Sequence, residues 1–235
     1  MNSDSTTSTG YPANKITLLV AASTMEVKPL IEVSTKIEIN DLQLHNLNQH
    51  NAYLLITGVG QYNLLTSLSH YLNTFPAPLQ IINIGIAGSF DSKFKILDLC
   101  KVKRDYVADQ IVEQECHWTS HSKAGIPNTT HHLREVTTPE FYQKIDLPEA
   151  KAITTDFLTD NKQLINKRQV FFRADIESME GAAVFHLAQY FDIPAMQIKS
   201  ISNFVGERDK TKWRIDDAIV LLCNFVRQNV FPIIK

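Results

Sequence analysis

The chain has 235 residues, of which 44% are apolar, and this is enough to bury one substantial α/β core. The formal net charge of −2 argues against a nucleic-acid partner, because such a partner requires a basic face. Its three widely spaced cysteines fit no disulfide framework, and no apolar run is long enough to span a bilayer, so we expect a cytoplasmic protein. Residues 1–14 are rich in serine and threonine and lack the apolar stretch of a signal peptide, which predicts a disordered leader before a single domain over residues 15–235.

The first part of that domain predicts three strands and one helix. Residues 16–22 are a short apolar run typical of a strand that is buried on both faces. A helix is predicted over residues 26–35. Residues 42–47 and 53–57 predict two further strands on either side of a polar turn.

The middle of the chain continues the alternation and then becomes difficult to assign. Leucines at helical spacing predict a helix over residues 61–73. Residues 80–84 and 97–107 predict strands. Residues 113–147 are polar and rich in histidine, and we assign no element there.

The last part predicts two strands and two helices in alternation. The strands are expected over residues 152–155 and 195–201, and the helices over residues 160–167 and 216–229. Strands that alternate with helices are typical of one α/β domain with a mostly parallel or mixed central sheet flanked by helices.

Between those elements, residues 177–183 read Glu-Ser-Met-Glu-Gly-Ala-Ala. Apolar residues at helical spacing predict a helix that begins here, with Ser178 as its N-cap and Glu180 in its first turn. The polar pair Ser202 and Asn203 ends the strand that follows. We expect the acid and the polar pair at the carboxyl edge of the sheet, where α/β proteins bind ligands.

Two glycine-containing segments each follow a predicted strand. They are Thr-Gly-Val-Gly at residues 57–60 and Asn-Ile-Gly-Ile-Ala-Gly-Ser at residues 83–89. We interpret both as tight turns that allow main-chain N–H groups to approach a ligand. The first is not a dinucleotide fingerprint, because Asn63 stands where the third glycine is required.

In combination these segments resemble the nucleoside phosphorylase and nucleosidase superfamily from about residue 15 to the end of the chain. The strings at residues 177–183 and 200–205, Ser-Ile-Ser-Asn-Phe-Val, are similar to those of the futalosine hydrolases within it. The resemblance implies a nucleosidase that acts in menaquinone biosynthesis and hydrolyses the N-glycosidic bond of futalosine to release hypoxanthine. It also implies a small-molecule nucleoside ligand, a homodimer or higher homo-oligomer, no cofactor and no metal.

The resemblance also implies roles for individual residues. Glu180 and Met179 would hold the ribose, Asn203 the base, and Glu26 the attacking water. A carboxylate can accept hydrogen bonds from two ribose hydroxyls, and its charge favours the cationic sugar of the transition state. The other expected substrate contacts are Gly58, Gly85, Ala87, Gly88, Phe157 and Ser202. Without the resemblance, the two glutamates would be explained as first-turn acids that complement a helix dipole.

Asn203 carries the prediction about the base. The adenine nucleosidases of the superfamily commonly have an aspartate here, which can donate a proton to N7 and accept from the 6-amino group. A 6-oxopurine presents two acceptors on that edge, and an asparagine NH₂ can donate to them while an ionised carboxylate would repel them. The asparagine therefore favours a hypoxanthine-type base.

Water is favoured over phosphate as the acceptor of the sugar. The superfamily's phosphorylases clamp phosphate with arginines from the amino-terminal half, and this chain has no arginine before Arg104. Ile86 stands where the adenine nucleosidases have a serine. Lys103 or Lys199 could still supply a charge, and Lys199 itself departs from the arginine of many relatives.

Three other functions stay open at this point. They are a methylthioadenosine/adenosylhomocysteine nucleosidase, a purine nucleoside phosphorylase, and a nucleoside-binding protein without catalysis. Arg208 and Trp213 fit either a contact to the substrate or a salt-bridged helix start. The histidines lack the spacing of a zinc site and are interpreted as surface residues; they include His117, His121, His131 and His132.

Overall fold

A computed structural model describes residues 16–39, 41–47, 50–90, 93–121, 123–125 and 136–234. The predicted leader over residues 1–14 lies outside these ranges, as do His131 and His132. Within the described ranges, no helix combines the length and the apolar character needed to span a membrane.

The described residues form eleven strands. Their bounds are Thr17–Ala21 (β1), Thr35–Ile39 (β2), Leu42–Asn46 (β3), Ala52–Ile56 (β4), Gln80–Ser89 (β5), Leu99–Val107 (β6), Ile111–Gln114 (β7), His117–Ser120 (β8), Glu149–Thr154 (β9), Ile176–Ser178 (β10) and Ala195–Phe204 (β11). Nine of these strands make one mixed sheet in the order β10-β9-β6-β11-β5-β1-β4-β3-β2. Its centre, β11-β5-β1-β4, is parallel, and each residue of β1 and β4 is buried, as expected for strands covered on both faces.

Helices cover both faces of this sheet. Their bounds are Lys28–Ile31 (α1), Gln61–Thr74 (α2), Lys162–Phe172 (α3), Gly181–Tyr190 (α4) and Ile215–Phe225 (α5), and α5 continues as a π-helical turn over Val226–Val230. The buried side chains of α2 and α4 belong to one apolar cluster, and those of α1 and α5 belong to another. The α/β fold with a mixed sheet flanked by helices, predicted from the sequence, is therefore confirmed.

Several predicted boundaries were wrong, among them the end of the helix predicted over residues 160–167, which is Lys162–Phe172 in the structure. The helix predicted over residues 26–35 is only the four residues of α1, and the chain enters β2 at Thr35. Pro29 suits only the first turn of a helix, the Ser34 hydroxyl binds the Ile31 carbonyl at the helix end, and the β-branched Val33 and Thr35 favour a strand. Residues 85–89, interpreted as a turn, continue β5 because β11 pairs with them.

The region that the sequence left unassigned, residues 113–147, is described in part. The short strands β7 and β8 pair in antiparallel fashion and form a sheet of their own. A 3-10 turn at Tyr142–Lys144 precedes β9.

Candidate functional site

A cleft with a cavity volume of about 210 Å³ lies at the carboxyl ends of β1, β5 and β11, next to the junction between β10 and α4. Seven of the ten predicted site residues line it. They are Glu26, Ala87, Gly88, Met179, Glu180, Ser202 and Asn203. The structure therefore brings into one cavity groups that lie far apart in the sequence.

Three predicted site residues, Gly58, Gly85 and Phe157, are not among the residues that line this cavity. The Phe157 side chain is 60% exposed, and the next residue, Leu158, forms part of the wall. Gly58 has φ +88°, and a Cβ on it would lie 3.0 Å from the Cβ of Asn63. It therefore shapes the chain after β4, and its role as a ligand contact stays a prediction.

Glu26 lies in the turn between β1 and α1 and is buried. Its Oε1 accepts a hydrogen bond from the N–H of Ile86 at 3.2 Å, and its Oε2 accepts one from the N–H of Ser23 at 3.2 Å. Main-chain donors from β5 and from the turn after β1 thus fix the orientation of this carboxylate. A fixed carboxylate in a cleft is suited to orient a water molecule and to accept its proton.

Glu180 occupies a position that the sequence did not predict. Ser178 is not the N-cap, because it ends β10; Glu180 is the residue that precedes α4, and its side chain makes no cap bond to that helix. Instead, its Oε1 accepts a hydrogen bond from the N–H of Gly60 at 2.8 Å. Gly60 has φ +93°, a conformation that favours glycine, so this turn directs an N–H group to the acid.

The environment of Glu180 opposes its charge. Burial raises the pKa of Glu180, and the charge of Glu26 raises it further. The positive charge of Lys199 and the hydrogen bond from Gly60 act in the opposite direction and lower it. The site therefore holds two acids close enough to repel each other, together with a buried lysine whose positive charge attracts both.

Asn203 and Ser202 lie inside β11 rather than beyond its end, at a β-bulge where the register against β5 shifts between Ile201 and Asn203. The Ser202 hydroxyl donates to Oδ1 of Asn203 at 2.8 Å. Nδ2 of Asn203 donates to the carbonyl of Phe204 at 2.9 Å. Because the hydroxyl donates to the amide oxygen and Phe204 accepts from one N–H of the NH₂ group, the second N–H is the donor that remains available to a ligand acceptor.

A partly buried acid lies beneath the start of α4. Asp105 accepts hydrogen bonds from Oγ1 of Thr154 at 2.9 Å and from Nε2 of Gln197 at 3.1 Å. Oγ1 of Thr154 accepts in turn from the N–H of Ala182 at 2.8 Å, which ties this network to the first turn of the helix. Sequence reasoning missed Asp105, because an acid in a strand interrupted by charge carries no signal of burial.

Asp105 should make the stability of the protein depend on pH. Burial raises the pKa of Asp105 to about 6, above its ordinary value of about 3.9. The folded state then holds this proton more tightly than the unfolded state, so stability falls as pH rises from about 4 to about 6. Asp105→Asn is expected to remove this decrease, which amounts to about 3 kcal/mol at about 1.4 kcal/mol per pH unit.

Urea unfolding across that pH range measures the effect. The exposed acid Asp160, changed to asparagine, is the matched control and should keep the wild-type slope. A wild-type slope in Asp105→Asn as well would contradict the assignment.

The cavity is also lined by residues whose role the sequence did not single out, or left open. Glu177 lines it, and burial raises the pKa of this acid to about 7, although the charge of Arg168 opposes the rise. Arg168 is itself buried and also donates to the carbonyl of Phe157 at 2.9 Å. Arg208 and Trp213 also line the cavity, with the guanidinium 5.9 Å from the centre of the indole ring. No periodic pattern in the sequence points to Arg168.

The cations considered for phosphate binding lie elsewhere. Lys103 forms an ion pair with Glu149 at 2.9 Å in an exposed position, and neither lines the cavity. Lys199 is buried beside Gly85. Among the described residues that line the cavity, Arg208 is the one lysine or arginine, and the apolar Ile86 lies next to Glu26.

The sequence matches the model of the Phosphorylase superfamily over residues 15–228. A futalosine hydrolase of Thermus thermophilus is 22% identical over 178 residues, which cover 74% of this chain and 79% of that protein. A 5′-methylthioadenosine/S-adenosylhomocysteine nucleosidase of a Marinomonas species is 28% identical over 165 residues, which cover 66% of this chain and 68% of that protein.

Solved structures share the fold. A Helicobacter pylori 5′-methylthioadenosine/S-adenosylhomocysteine nucleosidase superposes with a TM-score of 0.75 at 19% identity and covers 92% of this chain and 97% of its own. The native futalosine hydrolase of the same organism superposes with a TM-score of 0.74 at 19% identity, with coverage of 92% and 97%. At this identity the likeness shows a common fold.

Proposed function

The chain belongs to the phosphorylase superfamily, and on that basis we propose that it is a purine nucleosidase that hydrolyses the N-glycosidic bond of a 6-oxopurine nucleoside. Futalosine is the proposed substrate, with hypoxanthine as the released base. One observation carries the proposal: two buried carboxylates and an amide whose NH₂ is available share a single cavity.

Glu180 has the properties needed to hold the sugar. Its Oε1 is anchored by the N–H of Gly60, and the cavity gives a ligand access to the carboxylate. Hydrogen bonds from two ribose hydroxyls to one carboxylate would orient the ring, and the negative charge stabilises the oxocarbenium character that develops at C1′. Met179 lines the same wall and provides a polarizable apolar surface for the ribose.

Glu26 is the proposed general base. Two main-chain N–H groups hold its carboxylate, so little reorientation is required when it accepts a proton from water. Attack of that water on C1′ forms the new C–O bond while the bond to the base nitrogen breaks. The bonding electrons leave with the purine, so groups that hydrogen-bond to the base stabilise the negative charge that develops there.

Asn203 is the proposed contact to the base. Its NH₂ can donate to N7 or O6 of a 6-oxopurine, whereas the oxygen of the amide is held by Ser202. The absence of an acid at this position supports a keto-purine over adenine. Hydrolysis is favoured over phosphorolysis because Arg208 is the one basic side chain among the described cavity residues, whereas the superfamily's phosphorylases clamp phosphate with several arginines.

A direct assay tests the proposal. Purified protein is incubated with futalosine, inosine and methylthioadenosine, with and without phosphate, and the free base is quantified. We expect hypoxanthine from futalosine without any requirement for phosphate. Dependence on phosphate would instead identify a phosphorylase, and tight nucleoside binding without release of base would identify a binding protein.

A methylthioadenosine/adenosylhomocysteine nucleosidase is the second candidate. The Marinomonas relative with that name is 28% identical, and the Thermus futalosine hydrolase is 22% identical, so sequence similarity alone does not separate the two activities. Release of adenine with hypoxanthine nucleosides left intact would select this candidate and overturn the interpretation of Asn203.

Asn203→Asp is expected to change the preference for the base. The new carboxylate would face the keto-purine acceptors without a donor, at a cost of about 1–3 kcal/mol, so kcat/KM on the 6-oxo substrate should fall by roughly 10- to 100-fold. Activity on an adenine nucleoside should fall less or rise. Steady-state kinetics on both substrates measures the ratio.

Ser202→Ala is the matched control for that variant. It removes the hydroxyl that orients the amide but keeps the NH₂ donor, so the loss should be smaller and should not depend on the base. Unchanged kinetics in Asn203→Asp, with the thermal midpoint also unchanged, would mean that the side chain does not contact the base.

A further inference from the structure

Lys199 is a buried cation for which the proposed reaction has so far no role. It lies in β11 opposite Gly85 of β5 and Cys100 of β6, and it is 1% exposed. Because burying an ammonium costs free energy unless opposite charge lies nearby, the surrounding groups should account for its retention.

Acidic groups surround Lys199 on several elements. Glu26 faces it across Gly85: a Cβ added to this glycine would lie 3.1 Å from Oε1 of Glu26 and 3.4 Å from Nζ of Lys199. Glu180 approaches from the start of α4 and Asp105 from β6, and both interact with its charge. The thiol of Cys100, also on β6, is a further titratable neighbour.

This arrangement addresses an electrostatic difficulty in the site. Glu26 and Glu180 are both buried, and two neighbouring buried carboxylates favour the protonation of one of them. A protonated Glu180 would lose the charge that favours a cationic sugar. A cation behind both acids, outside the cavity wall, would offset their repulsion without occupying the space that the ligand needs.

We propose that Lys199 is a positioning residue whose ammonium serves as the shared counter-ion that keeps Glu180 charged while Glu26 is also charged. The role rests on the proposed function, because it concerns the acids assigned to the sugar and to the water. Gly85 permits this arrangement, because any side chain at that position would occupy the space between the Glu26 carboxylate and the Lys199 ammonium.

The opposing influences on Glu180 agree with this role. Burial is the largest cause that raises the pKa of Glu180, and Glu26 adds to it. Lys199 is the largest cause that lowers it, ahead of the hydrogen bond from Gly60. The same ammonium also lowers the pKa of Asp105, although the hydrogen bonds from Gln197 and Thr154 have larger effects there.

Carboxyl-carbon NMR on the ligand-free protein tests the counter-ion role without any substrate. The Glu180 signal is assigned by its loss in Glu180→Gln. In Lys199→Met, which replaces the ammonium by an apolar chain of similar length, we expect the pKa of Glu180 to rise by about 1 unit or more. A Glu180 pKa within about 0.3 unit of the wild-type value would overturn the proposal.

A double variant tests whether the charge of Lys199 offsets the repulsion between Glu26 and Glu180. Removing the second charge in Lys199→Met/Glu26→Gln should return the pKa of Glu180 at least partly toward the wild-type value. If the double variant titrates like Lys199→Met alone, repulsion by Glu26 is not what the lysine offsets, and the proposal is wrong. Lys199→Gln is a second neutral variant for use if the methionine variant does not fold.

The pH profile of kcat/KM provides the second readout. In Lys199→Met the acidic limb should move to higher pH by the same amount as the Glu180 pKa, and kcat/KM on that limb should fall about tenfold for each pH unit that the limb moves. Lys199→Arg keeps the charge and should keep the wild-type limb. A loss of equal size at every pH in Lys199→Met would indicate a purely structural role and would count against the proposal.

The two proposals fail in different ways. If the wild-type protein releases base from none of the nucleosides, the proposed function is lost, while the Glu180 titration still decides the role of Lys199. If the enzyme is active but Lys199→Met leaves both the titration and the acidic limb unchanged, only the role of Lys199 is lost.

Discussion

Replacing Glu26 by glutamine is expected to lower kcat for the hydrolysed nucleoside by about 10²–10⁴-fold, the usual contribution of a general base. The amide keeps the size of the side chain, and its oxygen can still accept from the N–H groups of Ser23 or Ile86. It has no basic oxygen to take a proton from water. KM should change much less than kcat, because the assigned role is in the chemical step.

The exposed Glu32, just beyond α1, is the matched control for this variant. Glu32→Gln removes the same charge from the same part of the chain and should retain wild-type kcat. Single-turnover kinetics of both variants, with the thermal midpoint as a check on folding, separates the chemical step from product release. A kcat for Glu26→Gln within a factor of about three of the wild type would exclude the general-base role.

Gly181→Ala is expected to cause a large loss of stability. A Cβ at this position would lie 2.2 Å from Oδ2 of Asp105 and 2.2 Å from Oε1 of Gln197, and both residues belong to the hydrogen-bonded network beneath α4. Helix propensity alone would favour alanine by about 1 kcal/mol. The clash should outweigh this gain, because overpacking a filled core costs about 1–3 kcal/mol or more and here two polar groups must move.

We therefore expect a net loss of about 2 kcal/mol or more, which corresponds to a fall in thermal midpoint of at least about 4–8 °C for a domain of this size. Gly125→Ala is the control, since an added Cβ there meets no atom within 4 Å and only the positive φ of +74° opposes it. Its loss should be about 1 kcal/mol. A midpoint for Gly181→Ala at or above that of the wild type would show that the packing around Asp105 is looser than described.

The Gly181 variant should also affect the site. Gly181 follows Glu180 directly, so a displacement of the start of α4 would move the carboxylate away from the N–H of Gly60. Activity should therefore fall together with stability. This link explains why a glycine stands at the first position of α4, where helix propensity would favour another residue.

The elements with strong apolar patterns were predictable from the sequence. The five buried residues of β1 form an uninterrupted apolar run except for Thr17, and α2 places leucines on one face at helical spacing. Local patterns of this kind report burial directly, because each residue's neighbours along the chain share its environment. The short α1 was less predictable, since the competition between a helix and β2 is decided by pairing with β3.

The residues of the site were predictable from the sequence, but the contacts that hold them in place were not. Glu26, Glu180 and Asn203 came from short motifs, and the fold places them around one cavity because parallel strands end at the same edge of the sheet. Their roles in catalysis stay predictions. Phe157 came from a poorer local match, and the structure leaves its side chain largely exposed.

By itself, the sequence determined the α/β class, the membership of the superfamily and the acids and amide that lie in the cleft. Only the tertiary structure decided that Glu180 binds Gly60, that β5 continues through its glycines, that Lys199 and Arg168 are buried, and that Asp105 binds Thr154 and Gln197. The physical reason is that a charged side chain is buried only where opposite charges or hydrogen-bond partners lie close to it. These partners come from strands that are distant in the sequence. No pattern within a single segment of the sequence indicates which distant residues will surround a buried charge.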